Sequence, residues 1–150
     1  MEIKRNSTRT FEFSKEGVVI NIPEQYSGIV VIPRLLEVEW QPAMRVQSNF
    51  TPNRLIINAE FVDENKPDIF LEQFDPSIEI QVYYTLGDRS FADKDGKPIA
   101  IAYWKKEKWN LIDQTNFTLT EISPLLCQCW TGMLRFFIRY WGDPTIALGS

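Results

Sequence analysis

The sequence predicts an all-β chain folded as a single antiparallel β-sandwich, residues 1–150, of about eight or nine short strands and immunoglobulin-like in character. Three observations carry this. Apolar side chains recur at every second residue and not at the helical period. Nine prolines and seven glycines are spread along the chain, which leaves almost no room for a long helix. The runs between them are rich in β-branched and aromatic residues, which fit a pleated surface.

Taken in order, TFEF near residue 11 is a weak strand pattern and GVVINIP (17–23) a strong one. GIVVIP (28–33) and LLEVEW (35–40) read as two strands parted by Pro33, the second with Leu36, Val38 and Trp40 inward and Glu37 and Glu39 toward solvent. RLIINAEFV (54–62) follows. In IEIQVYYT (78–85), Ile78, Ile80, Val82 and Tyr84 fall on one side, with Glu79, Gln81 and Tyr83 on the other, as in a half-buried strand. Residues 88–92 and 123–126 predict at most a helical turn each. PIAIAYW (98–104) splits into an Ile99, Ile101 and Tyr103 face and an Ala100, Ala102 and Trp104 face. KWNLI (108–112) is its return strand, joined by a charged turn over 105–108. NFTLT (116–120) is weak. MLRFFIRYW (133–141) places Leu134, Phe136, Ile138 and Tyr140 inward and Arg135, Phe137, Arg139 and Trp141 outward. The stretch after Trp141 has no assignable pattern.

Composition excludes much chemistry. The chain has no histidine, which removes imidazole bases, Ser-His and Cys-His nucleophile pairs and imidazole metal sites. Its two cysteines, Cys127 and Cys129, are too few for a four-thiolate zinc site and too close for an unstrained disulfide, so reduced thiols are expected. No cofactor or metal is expected. The net charge of -4 gives no cationic field for nucleic acid or an anionic membrane. No apolar run is long and unbroken enough to span a bilayer, and no secretion signal is visible. A cytoplasmic location is the default, unless the chain is excised from an exported protein.

The candidate sites each have a plainer reading. DKDGK (93–97) resembles the start of a calcium loop, but Lys97 and Trp104 stand where oxygen ligands belong, and Asp-Gly suits a hairpin turn. The pairs Asp63–Glu64 and Glu37/Glu39 suggest a hydrolase built on carboxylates alone, against solvent-facing strand and turn positions. Residues 60–95 hold ten acids against three bases, whereas Lys97, Lys105, Lys106 and Lys108 form a basic cluster. Solvated loops explain this, and head-to-tail association is the sharper reading. The aromatics are the remaining lead: the two alanines beside Trp104 leave room for something flat, and Arg135, Phe137, Arg139 and Trp141 make a cationic and aromatic ladder.

The order FDPSIEIQVYYT, a short Asp-containing loop, then GKPIAIAYWKKEKWNLI resembles immunoglobulin-like β-sandwich modules of bacterial surface and multidomain proteins. In these a strand P-x-x-I-x-I-x-Y precedes one ending Tyr-Trp and a partner beginning with Trp. The resemblance covers residues 74–112. It implies a non-enzymatic adhesive or spacer module and transfers no functional residue. The expectation is therefore a non-catalytic interaction or structural module, with a protein partner or self-association through the face bearing Phe137 and Trp141. The alternative is a carbohydrate-binding module that stacks sugars on Tyr83, Trp104 and Trp109.

Overall fold

The computed structural model describes residues 8–23, 26, 28–45, 49–119, 130–142 and 144–150. Among them are eleven strands and two helices: β1 (Thr8–Phe13), β2 (Val18–Pro23), β3 (Val31–Leu36), α1 (Pro42–Arg45), β4 (Pro52–Asp63), β5 (Lys66–Phe70), β6 (Gln73–Thr85), α2 (Leu86–Asp95), β7 (Ala100–Lys105), β8 (Lys108–Leu111), β9 (Thr115–Thr118), β10 (Trp130–Tyr140) and β11 (Thr145–Gly149). The all-β class is as the alternation predicts. Every strand pairing among the described residues is antiparallel. Neither helix is long and apolar enough to cross a membrane.

The strands form two sheets. One runs β1-β2-β6-β10-β9, and the other runs β3-β4-β11-β7-β8, with β5 beside β4. Their facing sides share one apolar core. Val18, Ile20, Ile22, Ile78, Ile80, Val82, Leu134, Phe136 and Ile138 enter it from the first sheet, and Phe61, Ile99, Ile101, Ile146 and Leu148 from the second. Period two is what makes this possible, because each strand then delivers one apolar face to one interior.

Several elements differ from the sequence expectation for definable reasons. Pro33 does not divide two strands; it lies inside β3, which is the edge strand of its sheet, where a missing backbone donor is tolerated. Residues 37–40 are irregular, so Glu37 and Glu39 are exposed but not on a strand, and Leu36 is exposed rather than inward. The unassigned stretch supplies β11, the strand between β4 and β7. Gly132 lies within β10 opposite Tyr84, where a Cβ would fall inside the Tyr84 ring. That ring crosses the glycine and donates its hydroxyl to Asn116 Oδ1 at 2.7 Å. Cys127, Cys129 and residues 123–126 lie outside the described residues.

The predicted helical turn at 88–92 is a ten-residue helix held by a complete capping box. Thr85 Oγ1 accepts from the Asp88 amide at 3.1 Å, and an Asp88 carboxylate oxygen accepts from the Thr85 amide at 2.9 Å. Gly96 ends it in the left-handed conformation, with φ 70°, a region that suits glycine. DKDGK is therefore the last turn and cap of a helix, neither a hairpin turn nor an ion loop. Asp88 also ties the sheets together. It accepts from Arg54 Nη2 at 3.3 Å and Asn53 Nδ2 at 2.8 Å, both on β4, while the same guanidinium donates to the Tyr83 and Glu16 carbonyls. Asp88→Ala is expected to lower stability by about 2–3 kcal/mol, because it leaves Arg54 without its carboxylate. Exposed Asp93→Ala on the same helix serves as the control, expected to shift stability by less than about 0.5 kcal/mol. Urea midpoints of the two variants check this.

Candidate functional site

The sequence-derived binding residues are dispersed by the fold. Tyr83 is buried on the outer side of the first sheet, under Trp130, Val19 and Met133. Trp109 is fully buried on the outer side of the second sheet, in a small cluster with Met44, Phe50, Ala100, Ala102 and Ala147. The room left by the two alanines is filled by this ring. Its indole N–H donates to the Met44 carbonyl at 2.8 Å, and Trp104 packs edge-on against it with ring centroids 5.1 Å apart. Tyr83, Trp104 and Trp109 thus share no open face, so they do not form the stacking platform that alternation suggested.

The β10 ladder is partly as expected. Arg135 lies on the outer face, 3.7 Å from a Glu79 carboxylate oxygen, with its guanidinium 4.7 Å from the centre of the Phe117 ring and 5.5 Å from that of Phe137. At the end of the strand the alternation fails. Ile138 pairs with Ile78 but Tyr140 pairs with Gln73, so residues 74–77 of β6 bulge opposite a single β10 position. A bulge reverses which residues face inward. Tyr140 is consequently 76% exposed, and Trp141 turns into the core, where its indole N–H donates to the Ala59 carbonyl of the other sheet at 2.7 Å. The expectation for these two residues is reversed.

An open cleft lies beside this bulge. It has a volume of about 750 Å³ and runs between the end of β7, the end of β8 and the last residues of β10. Tyr103, Ile112, Phe136 and Trp141 line its inner part, and Lys105, Asp113 and Arg139 its mouth. Leu111 and Phe137, each 59% exposed, flank it. A second hollow of about 680 Å³ lies on the far side of Arg139 and Tyr140, against Tyr26 and Asp75. There burial, and secondarily the nearby Asp75 charge, push the Tyr26 phenol well above its ordinary range; its hydroxyl donates to the Pro76 carbonyl at 2.7 Å.

The cleft exists because one sheet stops short. β9 pairs only with residues 132–135 of β10, whereas β6 pairs along nearly the whole strand. The Leu119 amide donates to the Thr131 carbonyl, and the register continues Met133 to Phe117 and Arg135 to Thr115. Odd-numbered residues of β10 therefore turn their N–H and C=O toward β9. By that alternation Phe137 turns both groups toward a side where no described strand pairs with it.

The acidic pairs singled out in the sequence do not face one another across a pocket. Asp63 is buried in the β4–β5 turn, where its carboxylate accepts from the Asn65 amide at 3.0 Å, and Glu64 points to solvent. Among the described residues, no group of three or more His, Cys, Asp or Glu side chains is placed to hold a metal ion. The basic cluster is divided, with Lys97 before β7 and Lys105, Lys106 and Lys108 at its far end beside the cleft. Comparison of the chain with protein-family models, with curated proteins and with solved structures found no match.

The β7–β8 turn at the cleft's rim is strained. Lys106 and Glu107 both have positive φ, 55° and 58°, where a two-residue hairpin turn favours Asn-Gly. Replacing both, Lys106→Asn with Glu107→Gly, is expected to raise stability by about 1 kcal/mol. Thermal unfolding measures it, and a drop in Tm would count against strain at this turn.

Proposed function

We propose that the chain is a non-catalytic interaction module that engages another protein at the end where β10 outruns β9. One observation carries the reading: exposed Leu111, Phe137 and Tyr140 surround an open cleft whose wall includes a strand edge that no described strand pairs. Exposed aromatic and aliphatic groups around a concave, polar-rimmed site are the composition of a contact surface. Two sheets enclosing a single core support an immunoglobulin-like sandwich as the scaffold, in keeping with the motif over residues 74–112. The absence of histidine and the use of Asp63 and Asp88 as hydrogen-bond acceptors for a turn, a helix cap and β4 favour a structural over a catalytic role. The sheet edge also favours protein over sugar, because an extended backbone matches the spacing of the donor and acceptor that a strand edge presents.

The test is site-specific photo-crosslinking in the cells that make the protein. A benzophenone side chain at position 137 is expected to capture a discrete protein adduct that the same group at Leu86, exposed on α2, does not. Equal labelling at the two positions would refute the reading.

A further inference from the structure

We infer that the cleft receives a single extended peptide segment, carrying acidic side chains at alternate positions, which adds to β10 as the strand continuing the line of β9. This rests on the interaction reading above and specifies the partner's form.

The geometry decides the form. Beneath the gap the second sheet is already present, with Tyr103 of β7, Leu111 of β8 and Ile112 lining the cleft. The first sheet ends one strand early there, since β9 begins at Thr115 and pairs no further along β10 than Arg135. What is missing is a strand alone. A second copy pairing through its own β10 would bring its own opposing sheet, which would compete for the space that β7 and β8 occupy. A segment free of its own sheet fits, with alternate side chains entering the groove over Ile138 and Tyr103 and the backbone meeting the outward N–H and C=O of Phe137.

Charge selects the other side chains. Arg139 and Lys105 line the cleft, and neither has a carboxylate partner among the described residues, where the ion pairs are Arg34–Glu60, Arg54–Asp88 and Arg135–Glu79. Asp113 is the one acid among the described residues that line the cleft. Outward side chains of an added strand lie beside the outward residues of β10, so an acid there meets Arg139. The flexible lysines of the adjoining turn extend the same field.

The experiment uses the whole protein and a fluorescein-labelled peptide, Glu-Val-Glu-Val-Glu-Val-Glu, with two relatives: its Lys-Val counterpart, and the acidic peptide N-methylated at alternate amides. Saturable binding of the acidic peptide, at least about tenfold weaker binding of the other two, and slowed hydrogen exchange at the Phe137 amide are expected. Arg139→Glu combined with Lys105→Glu is expected to reverse the preference toward the Lys-Val peptide. The inference is overturned by no saturation up to about 1 mM, by equal binding of the N-methylated peptide, or by a dimer of the protein alone that protects Phe137. If position 137 crosslinks a partner while the peptides fail, only the strand-addition inference is lost. If both fail, the interaction reading is lost as well.

Discussion

Everything in this molecule is referred to the pairing of β6 with β10. These are the two longest strands of the first sheet, and they lie side by side with Ile78, Ile80, Val82 and Tyr84 of one and Leu134, Phe136 and Ile138 of the other facing the same core. Burying such side chains contributes roughly 1.5–3 kcal/mol each, so a slip of one residue in this register would expose the entire set. The register is pinned at both ends. Gly132 admits the Tyr84 ring at one end, and at the other the bulge redirects the chain so that Trp141 enters the core. The same bulge exposes Tyr140 at the border of the cleft, so the packing constraint also shapes the candidate site.

The second sheet is joined to this axis by polar contacts as well as by the core. Asp88 caps α2 directly after β6 and accepts from two residues of β4, and Trp141 hydrogen-bonds to Ala59 on the same strand. Such bonds are directional where apolar packing is not, so they fix how one layer sits on the other. The outer faces are treated differently. That of the second sheet is covered by Met44, Phe50 and Trp109, whereas that of the first carries a polar chain from Thr10 through Asn21 and Glu79 to Gln81 and Tyr83.

Much of this was legible in the sequence where one face is wet and the other dry. β2, β6, β7 and β8 follow their alternation, as does β10 as far as Ile138, and residues 99–104 divide into Ile99, Ile101 and Tyr103 on the core side and Ala100, Ala102 and Trp104 on the other. β11 was hidden because Ile146, Ala147 and Leu148 are all buried, so there is no polar face to mark the period. β5 was hidden for the opposite reason: KPDIF is exposed throughout and contains a proline. The start of α2 did carry a signal in Thr85 and Asp88, three residues apart, which the capping-box pattern recognises. For the site, alternation identified the side on which Arg135 and Phe137 project. It could not show that another part of the chain covers Trp109, nor that a bulge interchanges Tyr140 and Trp141, because both depend on partners distant in sequence.

The place of β11 bears on how the molecule comes to be assembled. β4 and β7 are neighbours of β11 and not of each other, and β11 follows both along the chain. On a ribosome the hairpins β3–β4 and β7–β8 are thus synthesised as separate flaps, each with a sticky inner margin, before the piece that unites them emerges. Closure of that sheet is a late event built on contacts remote in sequence, which is slow, and until it happens the nascent chain has more bare margin to shield from its neighbours than the finished fold displays.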